Sequence, residues 1–425
     1  MNSSSGLNKV KCMVFVSLNI GVENDVTAEW ADDKLRVLEA LGVRTVVVSG
    51  AASNPPRLQN MSWSKVWPIG FQDFSNQVEL AQRQPVENQT RPSVFALLLS
   101  GSLGRLWDFL FRLSAGEVGS GRYSWVLSGT PVIAYHALRN KDSVIFSTGG
   151  PTGTHVAASV AAWLTGRPHY IEAQDPIVGS ELTLGPLATK VLAMTERFLV
   201  RNSTKTVLVT KQAAESTRRR NMKWANKIEG VYPGSWPHLK RTDLKPVGQV
   251  FQFLHTGTLY GARNLDTFFL ALDELYEEHP ELQGLIEVLQ KGGLFCENKS
   301  QYLSRGDFKL LTLGNRIDAL TSALSADVLL LVQHTDTRSQ ETIPYKFYDY
   351  LNLEKPILAL HENSELAGLV VEFGGFPAKN TDITEIKKRI IEIIAQVRGR
   401  RWSRPTTESP LGIINQFQEL FSVKG

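Results

Sequence analysis

Cysteine is scarce in this chain of 425 residues, which contains only Cys12 and Cys296. Two cysteines so far apart exclude a disulfide framework and a cysteine-rich zinc site, and they suit a reducing compartment. The metal-binding patterns D-x-D, H-x-x-x-H and H-E-x-x-H are also missing. The sequence therefore predicts no bound metal, and a cytoplasmic location is the default expectation.

An excess of charge of one sign is missing as well. Lys and Arg number 46 against 42 Asp and Glu, a formal net charge of +4. This is too small an excess to indicate a nucleic-acid partner, although acidic small molecules and membrane headgroups remain possible. The longest apolar stretch, residues 94–113, is interrupted by Arg105, Asp108 and Arg112. It falls short of the roughly 18 nearly uncharged residues that span a bilayer, so no transmembrane helix is predicted.

Short apolar runs alternate with helical patterns along the whole chain. The strand candidates of the first half are residues 13–16, 45–48, 143–146, 168–171 and 206–209. Those of the second half are residues 250–254, 285–289, 309–313, 327–332 and 355–360. This alternation is typical of βαβ units, so we predict an α/β protein with two doubly wound parallel sheets.

A proline-containing stretch without periodicity, residues 232–246, predicts a linker between the two halves. The first domain is then expected at residues 1–231 and the second at residues 247–400. Residues 401–425 are expected to form a C-terminal helix that returns to the first domain. Ligands of open α/β sheets bind beyond the carboxyl ends of the strands, so we expect a central cleft in which two substrates meet.

One segment near the start of a predicted helix carries groups of chemical interest. Pro344 suits the first turn of a helix, in which Lys346 and Asp349 lie three residues apart on one face. Glu341 precedes Asp349 by eight residues. Helix-terminal amides and an ammonium suit a diphosphate, and carboxylates suit sugar hydroxyls. The alternative is an ordinary surface pair of Lys346 and Asp349, with Glu341 as a loop residue.

The E-x7-D spacing of Glu341 and Asp349 resembles the E-x7-E motif of family 4 retaining glycosyltransferases with the GT-B fold. The Ile-Pro-x-Lys sequence before the second acid is similar to enzymes of bacterial polysaccharide assembly. Further similar segments are residues 146–155, 172–176, 255–264 and 325–331. The resemblance implies two Rossmann-like domains that face a central cleft. The aspartate is a departure, because it is one methylene shorter than the usual glutamate.

The resemblance also implies roles for individual residues on the donor side. Glu341 would contact hydroxyls of the donor sugar, Asp349 the ribose, and Lys346 the phosphates. Arg263 would be a second phosphate cation, unless it is a solvated loop arginine. The full donor-binding set is Gly257, Arg263, Lys291, Arg316, Lys346, Asp349, Thr342 and Ile343. Arg316 lies where such enzymes hold the base, and Lys291 is the nearest candidate for the lysine of the phosphate pair.

On the acceptor side, a glycine-rich turn joins a predicted strand to a predicted helix. Its glycines Gly149, Gly150 and Gly153 would let the backbone approach a ligand. His155 could orient the acceptor or leaving group, or it could form a local hydrogen bond. Asp175 could bind an acceptor hydroxyl or act as a base. The alternative is a plain strand-to-helix turn.

Two basic clusters, residues 211–227 and 387–404, accompany the apolar segment 94–113. That segment resembles an interfacial helix that lies on anionic lipid, although a buried helix with solvated charges is equally compatible. Membrane contact would favour a lipid-linked acceptor and a location at the inner face of the plasma membrane.

The resemblance implies a hexosyltransferase that works without a metal or a cofactor. It would move a sugar from a UDP- or GDP-linked donor to a hydroxyl of a saccharide or lipid-linked saccharide, with retention of configuration, in the assembly of cell-surface polysaccharides or glycoconjugates. The alternatives are a GT-B epimerase or phosphorylase, and a non-catalytic subunit that binds a nucleotide sugar or glycan.

Overall fold

A computed structural model describes residues 10–22, 25–54, 56, 58–82, 91–115, 122–149, 151–178, 186–239, 249–399, 402–403 and 412–421. The chain divides into two compact units. Unit 1 comprises Met1–Pro233 and Ile413–Gly425, and unit 2 comprises Gly234–Gly412. Residues 240–246 of the predicted linker, and the two residues that follow them, lie outside the described residues.

Unit 1 is built on a seven-stranded parallel sheet with the order β3-β2-β1-β4-β5-β6-β7. Its strands are β1 (Cys12–Ser17), β2 (Arg44–Gly50), β3 (Met61–Val66), β4 (Ser143–Gly149), β5 (His169–Ala173), β6 (Lys205–Leu208) and β7 (Ile228–Gly230). The predicted α/β class with parallel sheets is confirmed. β3 and β7 are additional, because their mixed or short sequences give no clear apolar run.

The helices of unit 1 connect these strands. They are α1 (Val26–Ala40), α2 (Phe71–Gln82), α3 (Val94–Ala115), α4 (Trp125–Arg139), α5 (Thr152–Thr165), α6 (Pro186–Asn202) and α7 (Lys211–Arg220). α4 and α5 cover one face of the sheet, where Trp125 and Ile133 pack with Val14 and Ile145. α6 continues the same layer over Ile171. The central strands β1, β2 and β4 are buried on both faces, and their sequences are largely apolar.

Unit 2 is built on a six-stranded parallel sheet with the order β12-β10-β8-β13-β14-β15, and β9 and β11 pair separately. Its strands are β8 (Phe251–Thr256), β9 (Leu259–Tyr260), β10 (Ile286–Lys291), β11 (Leu294–Phe295), β12 (Phe308–Leu311), β13 (Val328–Val332), β14 (Ile357–His361) and β15 (Phe376–Lys379). Its helices are α8 (Asp266–Glu278), α9 (Lys299–Ser304), α10 (Arg316–Ser325), α11 (Lys346–Leu353), α12 (Ser364–Glu372) and α13 (Ile383–Arg398). One continuous apolar core joins the sheet to α8 and α13.

The last helix, α14 (Ile413–Leu420), packs against α1 in unit 1. Phe417 and the following Phe421 lie over Phe146, with ring centroids 5.5 and 5.9 Å away. Phe421 also contacts Tyr170 at 4.7 Å. The chain thus returns to cover the face of the first sheet opposite α4 and α5.

A buried lysine on α1 ties several parts of unit 1 together. Lys34 Nζ lies 3.1 Å from Glu172 Oε1 on β5, and both side chains are only 2% exposed. The same ammonium donates to the carbonyl of Pro233 at 2.7 Å and lies over the ring of Phe417. Thr148 donates to the second oxygen of Glu172 at 2.7 Å. Because each charge is paired and hydrogen-bonded, it is tolerated in the interior.

We expect Lys34→Ala to lower the free energy of unfolding by about 3–5 kcal/mol, because it leaves the Glu172 carboxylate buried without its cation. Lys11→Ala is the matched control, since Lys11 pairs with Asp142 in a fully exposed position. Urea denaturation followed by circular dichroism measures both. Equal midpoints for the two variants would contradict the assigned role of Lys34.

Candidate functional site

The strand order of unit 2 reverses between β8 and β13, which are neighbours in the sheet but not in sequence. Ligands of open α/β sheets bind at the carboxyl ends of the strands that flank such a switch point. Gly257 follows β8 directly, and the segment with Glu341 follows β13 and leads into α11. The structure therefore brings the predicted donor-side segments to one edge of the second sheet.

The ammonium of Lys346, the first residue of α11, is held at this edge by its neighbours. Its Nζ donates to the carbonyl of Thr256 and lies 3.0 Å from His255 Nε2. Gln290 donates through Nε2 to Gly257 O at 2.6 Å, so its Oε1 accepts from His255 Nδ1 at 2.7 Å. His255 Nε2 is therefore the acceptor for Lys346, and the imidazole orients the ammonium.

Both basic groups of this cluster have lowered proton affinity. Loss of hydration and the nearby Arg263 guanidinium hold the pKa of Lys346 well below its usual range. Loss of hydration and the charge of Lys346 hold the pKa of His255 well below its usual range. An anion beside Lys346 Nζ would reverse this shift. An ammonium has three N–H bonds, and its described contacts use two.

Glycine is required beside this cluster. Gly257 has φ +91°, and a Cβ there would lie 2.9 Å from Lys346 Nζ. Its amide donates to the carbonyl of Lys291 at 2.8 Å, which joins the ends of β8 and β10. Gly292 also has a positive φ of +146°, and a Cβ there would collide with the backbone of Gly257. The predicted residues Gly257 and Lys291 are therefore neighbours through their backbones.

Arg263 lies in a turn that folds back on β9. Its backbone exchanges two hydrogen bonds with Tyr260, and its guanidinium lies 5.5 Å from the centroid of that ring. Tyr260 OH lies 3.2 Å from His334 Nε2, just after β13. The turn that carries Arg263 is thus fixed to the residues beyond β13, and Arg263 is near enough to lower the pKa of Lys346.

Arg316 and Asp349, which the sequence assigned to the base and the ribose, form one ion pair. Arg316 Nη2 lies 2.6 Å from Asp349 Oδ1, and its Nε lies 3.2 Å from Oδ2. The guanidinium also lies 5.1 Å from the ring centroid of Tyr345. The two side chains are about nine-tenths buried. The alternative of an exposed pair between Lys346 and Asp349 is therefore wrong, because Asp349 contacts Arg316 on the neighbouring helix.

The loop that carries Glu341 is held by two buried amides. Gln333, directly after β13, donates to Thr342 O at 2.8 Å. Asn363, the N-cap of α12, donates to the carbonyls of Ser339 and Gln340, both at 2.9 Å. Glu341 ends a short 3-10 helix and is half-buried, whereas Ile343 is buried. Helix α11 begins at Lys346, two residues beyond Pro344, so the proline precedes the helix.

In unit 1, the turn after β4 contains two of the predicted glycines. Gly149 has φ +129°, Gly153 is buried in the first turn of α5, and Gly150 lies outside the described residues. His155 is fully buried and Nε2 donates to Gly149 O at 3.2 Å. Its Nδ1 lies 2.9 Å from Ser147 Oγ, which also lies 2.9 Å from His169 Nε2. His155 therefore fixes the carbonyl that opens the turn.

Asp175, the other residue assigned to the acceptor side, follows β5. Partial loss of hydration raises the pKa of its carboxyl, although part of the residue is accessible to solvent. A carboxylate of raised pKa is suited to proton transfer. In the residues that the structure describes, no group of three or more His, Cys, Asp or Glu is arranged to hold a metal ion.

Sequence reasoning missed the residues that position this site: His255, Gln290, Gln333 and Asn363. Each is a polar side chain at the end of a buried strand or at a helix N-cap. A polar residue that closes an apolar strand is a signal that the sequence does contain. Its partners, however, lie many residues away, and only the fold brings them together.

No protein-family model matches the sequence, and no curated protein matches it. Solved structures do match over nearly the whole chain. The Anabaena protein HepE in complex with UDP-glucose has 12% sequence identity and a TM-score of 0.53, and the match covers 96% of this chain and 94% of that chain. A UDP-forming alpha,alpha-trehalose-phosphate synthase from Burkholderia xenovorans in complex with glucose-6-phosphate has 10% identity and a TM-score of 0.60. That match covers 97% of this chain and 98% of the synthase chain.

A third match is a trehalose-6-phosphate structure from Escherichia coli bound with UDP-2-fluoro glucose. It has 15% identity and a TM-score of 0.57, and the match covers 96% of this chain and 98% of that chain. The chain has the GT-B fold. The predicted pair of Rossmann-like domains is thereby confirmed, and at these identities the likeness concerns the fold.

Two buried histidines of unit 1 predict that the stability of the protein decreases in acid. Burial lowers the pKa of His155 to about 4 and that of His169 to about 3. The unfolded chain, with histidine pKa near 6.5, binds protons first as the pH falls. The free energy of unfolding is therefore unaffected by these histidines above about pH 6.5 and decreases as the pH falls toward 4. The decrease that His155 causes is about 3 kcal/mol.

Differential scanning calorimetry across this range measures the loss. His155→Gln keeps a donor for Gly149 O but does not titrate, so its unfolding temperature should fall less steeply with pH. His279→Gln, at a half-exposed position in unit 2, is the control and should follow the parent protein. Parallel curves for all three proteins would contradict the linkage to His155.

Proposed function

We propose that this chain is a glycosyltransferase that takes a sugar from a UDP-linked donor and transfers it to a hydroxyl of a saccharide. The observation that carries the proposal is the cation Lys346, oriented by His255 beside Gly257 at the switch point of the second sheet. Cations and backbone amides that converge on one edge of a parallel sheet suit a diphosphate. The GT-B fold supports the same conclusion.

The diphosphate is proposed to bind between Lys346 and Arg263. Lys346 offers its ammonium at the start of α11, where the helix dipole also favours negative charge. Arg263 is held nearby by its turn and by Tyr260. The charge that develops on the departing diphosphate would be stabilised by these preorganised cations, without a bound metal and without a further cofactor.

The nucleoside is proposed to bind at the pair of Arg316 and Asp349. Each carboxylate oxygen can accept more than one hydrogen bond, so Asp349 can accept from ribose hydroxyls while it remains paired with Arg316. Arg316, stacked over Tyr345, presents a flat cationic surface beside the base. The shorter acid of the E-x7-D spacing is thus compensated by an arginine that fixes it.

Glu341 is proposed to contact hydroxyls of the donor sugar, with Thr342 and Ile343 beside it. The amides of Gln333 and Asn363 hold this loop, so the carboxylate is presented from a fixed backbone. A fixed carboxylate can strengthen its hydrogen bonds as positive charge develops at the sugar in the transition state. Retention of configuration at that carbon is part of the proposal.

The acceptor is proposed to be a saccharide or a lipid-linked saccharide of cell-surface polysaccharide assembly. Asp175 would bind or deprotonate its hydroxyl, and the turn at Gly149 with His155 would line its position. Structures with the same fold contain UDP, UDP-glucose or glucose-6-phosphate. These ligands support a UDP-sugar donor and a saccharide acceptor.

We expect Glu341→Gln to lower sugar transfer at least about 100-fold, because an amide cannot offer a negative charge to the transition state. Release of UDP from UDP-sugars in the presence of cell-envelope glycans measures turnover. Glu372→Gln, an exposed acid at the end of α12, is the matched control and should keep full activity. Near-normal turnover of Glu341→Gln would refute its role, and consumption of donor without an acceptor would indicate an epimerase.

We expect Gly257→Ala to weaken UDP binding at least about tenfold, because its Cβ would displace Lys346 Nζ and its φ is unfavourable for alanine. Gly306→Ala is the control, since a Cβ there meets no atom within 4 Å. Isothermal titration calorimetry with UDP measures both. Unchanged affinity in Gly257→Ala, with the fold intact, would contradict the proposed diphosphate position.

A further inference from the structure

Helix α3 in unit 1 has an inverted distribution of side chains. Its small residues Ser100 and Gly104 are buried, whereas most of the large apolar residues between Val94 and Phe109 are exposed to solvent. The exposed fractions are 70% for Phe95, 66% for Leu98 and 60% for Phe109. Val94, Leu103 and Leu106 are exposed as well. A helix of a soluble domain normally does the opposite, so this face indicates a binding surface.

Four of the exposed apolar residues of α3 form a stripe along one side of the helix. Phe95, Leu98, Leu106 and Phe109 are spaced by three, eight and three residues, which places them on the same side of an α-helix. Asp108, the one acid of α3, points away from this side and accepts a hydrogen bond from the amide of Gln72 at 2.9 Å. The stripe therefore contains no carboxylate.

The neighbouring helix α6 supplies positive charge. It contacts α3. Its exposed residues Lys190, Arg197 and Arg201 are separated by seven and then four residues, so they lie on the same side of the helix. Met194, 63% exposed, lies among them. The one acid of α6, Glu196, is buried and forms a bidentate pair with Arg220.

A third helix also exposes apolar side chains. α5 contacts α6, and at its C-terminal end Trp163 is 72% exposed, beside the exposed Leu164. Tryptophan is favoured where apolar and aqueous phases meet. Within the described ranges, no helix combines the length and the apolar composition that crossing a bilayer requires.

The basic clusters that stand out in the sequence are largely engaged within the protein. Arg218 and Arg219 lie beside Glu215. Lys227 donates to the carbonyls of Arg201 and Ser203, both at 2.8 Å. In the second cluster, Lys387 bridges Glu274 and Glu278. The exposed cations of α6, by contrast, surround the exposed Met194.

We propose that α3, α6 and Trp163 form a docking surface for an anionic lipid bilayer. The apolar stripe of α3 would enter the headgroup region, and Lys190, Arg197 and Arg201 would contact anionic headgroups. The charge of the surface selects this occupant, because the exposed sides of both helices carry cations and no carboxylate. The inference stands independently of the sugar-transfer function.

The test is co-sedimentation of the full-length chain with vesicles of phosphatidylcholine alone or mixed with phosphatidylglycerol. We expect binding to the mixed vesicles that weakens as salt is added. The double variant Leu98→Glu with Phe109→Glu should bind at least about tenfold more weakly. Leu270→Glu, at an exposed leucine of α8 in unit 2, is the matched control and should bind like the parent protein.

The cations are tested separately by the double variant Lys190→Glu with Arg197→Glu. Because two cations that would bind headgroups are removed, partitioning to the anionic vesicles should fall at least about 30-fold. Lys388→Glu, an exposed lysine of α13, is the control for a change of net charge. Circular dichroism and the unfolding temperature confirm that each variant is folded.

Three outcomes would overturn the proposal. The first is absence of binding to either kind of vesicle, and the second is binding that neither anionic lipid nor salt affects. The third is self-association of the chain, measured by sedimentation velocity, that Leu98→Glu with Phe109→Glu abolishes while no vesicle is bound. This last result would assign the stripe to a second copy of the chain.

Discussion

Parallel strands bring all their carboxyl ends to one edge of a sheet, and both units of this chain depend on that constraint. Polar groups collect at each edge and must satisfy one another, because the strands around them are buried on both faces. In unit 2, Lys346 is held by His255 and the end of β8. In unit 1, Lys34 pairs with Glu172 near the end of β5. An ammonium held by protein hydrogen-bond partners is thus central to each edge.

Local signals explain which elements were predictable from the sequence. The strands were found because continuous apolar runs reflect burial on both faces. The helix after Pro344 was predictable because the proline and the helical spacing of the following side chains lie within one short segment. β3 was missed because its residues at Met61–Val66 are mostly half-exposed and mixed in character. The partners of Lys346 were missed because His255 lies 91 residues away, and no pattern in the sequence joins them.

The pairing of Arg316 with Asp349 shows the limit of assigning residues one at a time. The two lie 33 residues apart, at the start of one helix and inside another, and sequence reasoning assigned each a separate part of the ligand. In the structure the two side chains are joined by hydrogen bonds, so the arginine fixes the position of the aspartate carboxylate. Helix α3 is a similar case, because periodicity locates its stripe but only burial shows which side is covered.

The return of α14 to unit 1 has a consequence for the order of folding. Unit 2 lies in the sequence between Pro233 and Ile413, so the ribosome completes it before the last helix of unit 1 emerges. Until then, Phe146 and the ring of Tyr170 lack the cover of Phe417 and Phe421. The nascent first unit would expose an aromatic surface throughout synthesis of the second, and chaperone binding would be favoured during that interval.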